Sequence, residues 1–272
     1  MALKRLRLVK LKNSQNDLTA IRVTDILSRE SSRFNSICRE NAIYFSDSLT
    51  KDEPLHLARI HDVALAPNED GDMEPLLVFE RANAKPNNTL AHWLDGHRHF
   101  VDKDISQRLS FAIQIFSGLE ELHSGYIHND IKPNNILLFN SDPHRHRTRL
   151  ALTDFGLSKP ISDKSSFHYG TRFFSAPEVW LRMVTEKPAL RDVWAAGLVV
   201  VWLFQSAGPR TERAFQAYLA LCQSLEKSNA YDKKTLRENL LKGAHAMVHA
   251  MLADAKTGSP GSDLLLRIAA LL

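Results

Sequence analysis

The chain has 272 residues, of which 44% are hydrophobic and 24% charged, an ordinary globular balance with room for one large domain or two lobes. A formal net charge of +4, from 35 basic against 31 acidic residues, is too slight a lean to argue for a nucleic-acid partner. Two cysteines far apart in the chain, Cys38 and Cys222, exclude a disulfide framework and a cysteine-based zinc site, and fit a reducing compartment.

The N-terminus is basic (Lys4, Arg5, Arg7, Lys10, Lys12), but no apolar run follows it. No signal peptide is therefore expected, and the protein is expected inside the cell, in cytoplasm or nucleus. Residues 5–12 and 18–23 are rich in Leu, Val, Ile and Thr and flank the polar cluster Asn13-Ser-Gln-Asn-Asp17, a hairpin pattern. Residues 30–50 carry Phe34, Ile37, Cys38, Tyr44 and Phe45 at helical spacing, with Ser31 or Ser32 as N-cap and Glu40 inside the helix. Residues 55–65 and 74–80 read as two further strands, split by the turn Pro67-Asn-Glu-Asp-Gly-Asp72. Ala82 to Asn88 is a polar connector with a proline, and the boundary between two lobes, 1–82 and 83–272, is placed there.

Thr89 to Leu94 predicts a short helix, and Asp104 to His123 the strongest one. In the latter, Ile105, Leu109, Ala112, Ile113, Phe116, Leu119 and Leu122 form one apolar stripe, Asp104 and Gln107 match a capping box, and Gly125 suits the stop. Residues 136–140 and 149–153 predict a second hairpin around Ser141-Asp-Pro-His-Arg-His-Arg147. Its two histidines are read as a solvated loop, because the flanking arginines repel a cation. Asp154-Phe-Gly156 follows, then a Ser/Lys-rich stretch to Gly170, then Thr171-Arg-Phe-Phe-Ser-Ala-Pro-Glu178. Asp192 opens an apolar helix, Val193 to Phe204, too short for the ~20 residues of a membrane span. Further helices are expected around 211–226, 234–253 and 262–272, the last ending in an uncapped apolar run as though cut short.

The polar loop in Tyr126-Ile-His-Asn-Asp-Ile-Lys-Pro-Asn-Asn-Ile-Leu-Leu138 is where chemistry is expected. Asp130 could accept a proton from a hydroxyl, Lys132 could neutralise a phosphate, and Asn135 could offer its carbonyl oxygen to a hard cation such as magnesium. The stretch resembles the catalytic loop of eukaryotic-type protein kinases, His-Arg-Asp-Leu-Lys-Pro-x-Asn, with Asn129 in place of the arginine. Asp154-Phe-Gly156, Gly170-Thr171 and Ala176-Pro-Glu178 follow in the family's order, and Lys132-Pro133 with Gly170-Thr171 match its serine/threonine branch.

The resemblance implies an α+β bilobal fold, a small β-rich N-lobe and a larger, mainly helical C-lobe, and transfer of the ATP γ-phosphate to protein Ser/Thr hydroxyls with Mg2+. Asp130 would orient and deprotonate the hydroxyl, Lys132 would steady the γ-phosphate, and Asn135 and Asp154 would hold magnesium. Thr171 would touch Asp130 and Lys132, and Glu178 would pair with a distant arginine. His128 and Phe155 would join an internal apolar column. Toward ATP, Leu137 would lie beneath adenine, Phe79 would be the gatekeeper, and Glu80 and Ala82 would offer backbone groups. Ala20-Ile21-Arg22-Val23 resembles the family's Val-Ala-Ile-Lys strand, with Glu40 at the spacing of its ion-pair partner.

Three departures stand out. No Gly-x-Gly-x-x-Gly precedes Ala20, so the first strand and phosphate lid are expected to be missing, and the final helices likewise. Arg22 holds the lysine position, a swap that changes reach and geometry, and Lys4 or Lys10 could substitute from the neighbouring strand. Asn129 removes the arginine that pairs with a phosphorylated segment, so activity is expected without phosphorylation between Asp154 and Glu178. A pseudokinase scaffold is the alternative that the first two departures favour. A small-molecule kinase shares part of the loop, but Lys132-Pro133 and Ala176-Pro-Glu178 argue against it.

Overall fold

The computed structural model describes residues 5–11, 18–24, 56–67, 73–82, 88–97, 104–142, 147–163, 170–180, 187–204, 209–227 and 232–254. The two runs that flank the Asn13–Asp17 cluster pair as antiparallel strands β1 (Arg5–Leu11) and β2 (Leu18–Thr24), with Arg7 opposite Arg22 and Val9 opposite Ala20. The second hairpin is β3 (Ile60–Pro67) with β4 (Met73–Phe79). β4 also pairs antiparallel with β2, setting Leu76 opposite Arg22 and Val78 opposite Ala20, so the sheet runs β1-β2-β4-β3. The helix expected over 30–50, Glu40 included, and the helix expected over 262–272 lie outside the described residues.

Six helices follow the sheet among the described residues: α1 (Leu90–His97), α2 (Ile105–Leu122), α3 (Pro177–Trp180), α4 (Leu190–Leu203), α5 (Pro209–Lys227) and α6 (Lys233–Asp254). Between α2 and α3 run four short strands, β5 (Tyr126–Ile127) paired with β8 (Lys159–Pro160), and β6 (Ile136–Asp142) paired with β7 (Arg147–Leu152). Sheet first and helices after it make the expected α+β, kinase-like bilobal fold. One core joins Phe111 and Ile115 of α2, Leu138 and Leu152 of the β6–β7 hairpin, and Val199 of α4. Each such side chain contributes roughly 1.5–3 kcal/mol on leaving water. No helix among the described residues is long and apolar enough to cross a membrane.

The helix α2 corrects the reading of its stripe. Ile113 and Phe116 are exposed, at 67% and 42%, while Arg108 is 1% exposed. The reason is electrostatic. Arg108 Nη2 donates to the His97 carbonyl at 2.6 Å and Nη1 to the Leu203 carbonyl, and these are the last residues of α1 and α4. Helix C-termini leave carbonyls without partners and carry a partial negative charge, so one buried guanidinium satisfies two of them. It also lies 5.0 Å above the Trp93 ring. Burial pushes its pKa down to about 10, against the opposing pull of Asp104. The expected capping box does not form: Asp104 makes no side-chain cap hydrogen bond, and its carboxylate acts on Arg108 instead.

The strand expected from residue 55 starts only at Ile60, because the residues before it are engaged elsewhere. Leu57 bridges Leu152 in parallel, with Ala58 N–H donating to Leu152 O and Leu152 N–H to His56 O, both at 2.8 Å. The His56 N–H reaches Glu121 Oε2 on α2 at 3.0 Å. This segment passes so close to α2 that a Cβ on Gly118 would stand 2.9 Å from His56 O. The sheet is thereby hydrogen-bonded onto the hairpin that carries the polar loop.

Candidate active site

The loop of interest is pinned at both ends before its chemistry begins. β5 enters it and is held by β8, with Ile127 opposite Lys159. A 3-10 turn, Pro133–Asn135, leaves it, with proline at its first position, where a missing N–H costs nothing. The middle is held by Asp192, a residue of α4 that is 1% exposed. Its Oδ2 accepts the His128 N–H at 2.6 Å and faces His123 Nε2 at 3.0 Å, and its Oδ1 accepts the Asn129 N–H at 2.8 Å. Sequence reasoning saw Asp192 only as a helix start. The available signal was a carboxylate directly ahead of the apolar run Val193–Phe204, a group that can be buried only with donors around it.

Asp130 is the hub. Its Oδ2 accepts from Lys132 Nζ at 2.6 Å and from Asn135 Nδ2 at 3.0 Å. Its Oδ1 accepts from the Thr171 N–H at 2.7 Å and the Thr171 hydroxyl at 2.9 Å. Lys132 Nζ also donates to Thr171 Oγ1 at 2.8 Å, closing a ring of three side chains. Burial by itself would raise the Asp130 carboxyl. The Lys132 hydrogen bond and charge, with the two Thr171 hydrogen bonds, outweigh it and hold the group below the usual carboxylate range. Asn135 also donates to the Asp130 carbonyl at 3.0 Å, so both of its hydrogen bonds here run through Nδ2 and its carbonyl oxygen is the face left for a cation.

Thr171 reaches Asp130 only because Gly170 precedes it. A Cβ at Gly170 would overlap the Asn129 carbonyl oxygen and come within 2.9 Å of Asp130 Oδ1. Downstream, Phe173 and Phe174 fix the register of Thr171. Phe173 packs on Phe215 and Tyr218 of α5 at ring separations of 5.3 and 5.2 Å, and Phe174 stacks on Trp202 of α4 at 5.8 Å. Glu178 falls in the first turn of α3, half-buried.

Asp154 adopts a left-handed backbone, φ 65° and ψ 66°, at the head of the 3-10 turn Phe155–Leu157. Thr153, just before it, donates its N–H to the Asn135 carbonyl at 3.0 Å, which brings the two expected cation ligands onto neighbouring backbone. Phe155 is fully buried against His128, ring to ring at 5.1 Å. The Asp130 N–H donates to His128 Nδ1 at 3.3 Å, so Nδ1 is the acceptor and Nε2–H donates to Thr153 O at 3.1 Å, which defines the neutral tautomer. A carboxylate and a carboxamide oxygen are a hard-donor set of the kind that suits magnesium, which keeps waters and takes substrate phosphates as its other ligands. Among the described residues no group of three or more His, Cys, Asp and Glu converges.

The residues expected at adenine are spread along the sheet-to-helix connection. Phe79 ends β4, is 8% exposed, and pairs with Thr19 and Ile60. Glu80 donates its N–H to Arg59 O at 3.0 Å, and its carboxylate bonds Arg149 and lies 3.9 Å from Arg59 Nε. Half-buried Ala82 follows. Leu137 of β6 bridges Thr89, and Leu138 N–H donates to Asn88 O at 3.0 Å, so residues 88 and 89 lie along the strand that leaves the loop. Ala20 and Arg22 sit on β2, the neighbour of β4.

A four-stranded sheet leading through a short connector to a helical region, with a carboxylate–ammonium–carboxamide loop at their junction, defines a kinase-like fold. The family model described as protein kinase domain matches residues 1–262, and the chain belongs to that family. Among curated proteins it is similar to the serine/threonine-protein kinase nekl-2 of Caenorhabditis elegans, 32% identical over 188 residues, covering 64% of this chain and 46% of that one. It is 30% identical to the mitogen-activated protein kinase p38a of Drosophila melanogaster over 150 residues, 53% of this chain and 36% of that one. It is 35% identical to the cyclin-dependent kinase F-3 of Oryza sativa subsp. japonica over 98 residues, 35% of this chain and 21% of that one. The chain spans less than half the length of each of these relatives.

Proposed function

We propose that the chain is a serine/threonine protein kinase that transfers the γ-phosphate of ATP to protein hydroxyls with the help of magnesium. The observation that carries this reading is the closed set of hydrogen bonds from Lys132, Asn135 and Thr171 onto the single carboxylate of Asp130. Asp130 orients a substrate hydroxyl and takes its proton as the oxygen attacks. Its depressed pKa keeps it ionised at neutral pH, and so able to accept. Lys132 turns from Thr171 toward the transferred phosphoryl group and offsets its charge. Asn135 and Asp154 are the residues that would hold magnesium, which when bound supplies charge neutralisation along the phosphates. Thr171 keeps the segment beyond Gly170 beside the base, where a substrate chain would lie. Leu137, Phe79, Glu80, Ala82 and Ala20 are the proposed adenine surroundings, and residues 1–82 and 83–272 the proposed lobes.

The second reading, a binding scaffold with weak or no transfer, is supported by Arg22 at the position where the family's strand carries lysine. Lys10, opposite Thr19 on β1, is the proposed substitute cation. ATP affinity measured on Lys10→Ala and Arg22→Ala separates these roles, and no change in either variant removes both. The reading as a whole is tested by mass-detected phosphotransfer to a generic basic protein, with Asp130→Asn as control. Signal from wild type and none from the variant is expected, and equal signal from both overturns the enzyme claim.

A further inference from the structure

Three hydrogen bonds join residues 128–129 of the loop to residues 153–158, and none involves a charged group. His128 Nε2–H donates to Thr153 O at 3.1 Å, Asn129 Nδ2–H donates to Leu157 O at 3.0 Å, and Ser158 Oγ–H donates to His128 O at 3.2 Å. They bracket Asp154, which adopts the left-handed backbone that aspartate and asparagine visit more readily than other residues with a Cβ. Asn129 is the other non-glycine residue with positive φ among the described ones, at 65°, and asparagine is among the few side chains that tolerate it. Two further features converge on Asn129. Its N–H donates to Asp192, and its carbonyl oxygen lies where a Cβ on Gly170 would fall.

We infer that Asn129 is a positioning residue: with His128 and Ser158 its carboxamide clamps Thr153–Ser158 against the loop and holds the backbone turn at Asp154 without any phosphate. An amide donor meets a backbone carbonyl directly, so the bond forms whenever the chain is folded. The clamp rests on the kinase reading for its consequence, the presentation of Asp154 to magnesium, but its geometry stands apart from that reading.

The Ser158 amide reports on the clamp, because it donates to Phe155 O at 2.9 Å and closes the turn after Asp154. Asn129→Asp keeps the size and the tolerance of positive φ but turns an acceptor toward the Leu157 carbonyl, and Asn129→Gly keeps the backbone and removes the side chain. In both variants Ser158 and its neighbours should exchange their amide hydrogens roughly five- to tenfold faster, the worth of one neutral hydrogen bond, with α4 unchanged. Phosphatase treatment of the wild type should leave the exchange pattern as it was. In phosphotransfer the variants should need more magnesium for half-maximal rate and show a lower kcat at an unchanged KM for the acceptor protein. Unchanged exchange at Ser158, an equal rise across all helices, or protection that vanishes with phosphatase overturns the clamp. If wild type transfers no more phosphate than Asp130→Asn, the kinase reading fails, and the exchange measurement still decides the clamp.

Discussion

Asp130 and Arg108 are both charged side chains buried in the helical region, and they are held in different ways. Arg108 donates to backbone carbonyls at the ends of two helices, and those partners are part of the fold and cannot leave. Asp130 is held largely by side chains, Lys132, Asn135 and Thr171, that can rotate toward a ligand and return. Burial of charge therefore does not by itself mark a site. Partners able to exchange protein contacts for substrate contacts do. Removing each charge should break a different property.

The largest effect is expected at Asp130. Asp130→Asn keeps the shape and removes the proton acceptor, so phosphotransfer should fall roughly 10²–10⁴-fold while the fold survives. Initial rates at saturating ATP, with circular dichroism on the same samples, check both halves. A variant that retains transfer would move the base elsewhere.

Arg108→Leu should do the reverse. It orphans the His97 and Leu203 carbonyls, at roughly 1–3 kcal/mol each, partly offset because no charge need then be buried. A net loss of about 2–4 kcal/mol is expected in denaturant unfolding, with the folded fraction still active at low temperature. If transfer vanished while stability held, Arg108 would belong with Asp130 after all.

Gly170→Ala lies between the two. The added methyl meets the Asn129 carbonyl and Asp130 Oδ1, so Thr171 must retreat from the base. A displacement near 1 Å can cost about 10²-fold in rate, and that loss in kcat with little change in melting temperature is the expected outcome.

The same contrast explains what could be read from the residues alone. The polar loop stood out by its charge pattern between apolar segments, while Asp154-Phe-Gly156 and Gly170-Thr171 were legible through their order and spacing, which resemble those of the kinase family. Among the described residues the longer strands and helices were legible from periodicity, to within a few residues at most ends. Arg108 was not, since a stripe wide enough to include Ile113 and Phe116 leaves no reason to turn a cation inward. That reason lies at Leu203, 95 residues away. The Asp192 ties to residues 128 and 129 and the bonding of Glu80 to Arg149 are long-range in the same way, and no local pattern encodes them.

The two charges also differ in their response to acid. Asp130 is held below its ordinary value of 3.8 in the folded protein. A depressed carboxylate adds stability that is complete above the unfolded-state pKa and is lost as pH falls through the folded one. The stability difference between wild type and Asp130→Asn should therefore be constant from neutral pH to about pH 5 and shrink below the ordinary value. The Arg108→Leu difference should not follow this curve, since the guanidinium stays charged across that range. Denaturant unfolding at a series of pH values checks this, and a gap that widens toward acid would reverse the sign assigned to Asp130.

The smallest effect expected is none. If Asn129 holds the Asp154 turn through its carboxamide, no phosphate is needed between Asp154 and Glu178. Ser162→Ala, Ser165→Ala and Ser166→Ala should each leave transfer within about twofold of wild type. Thr171→Ala should lose activity, but through its missing hydroxyl contact with Asp130 and Lys132, so phosphatase treatment should not reproduce it. A large loss at a serine found phosphorylated by mass spectrometry would show that a charge, rather than the amide, orders the segment.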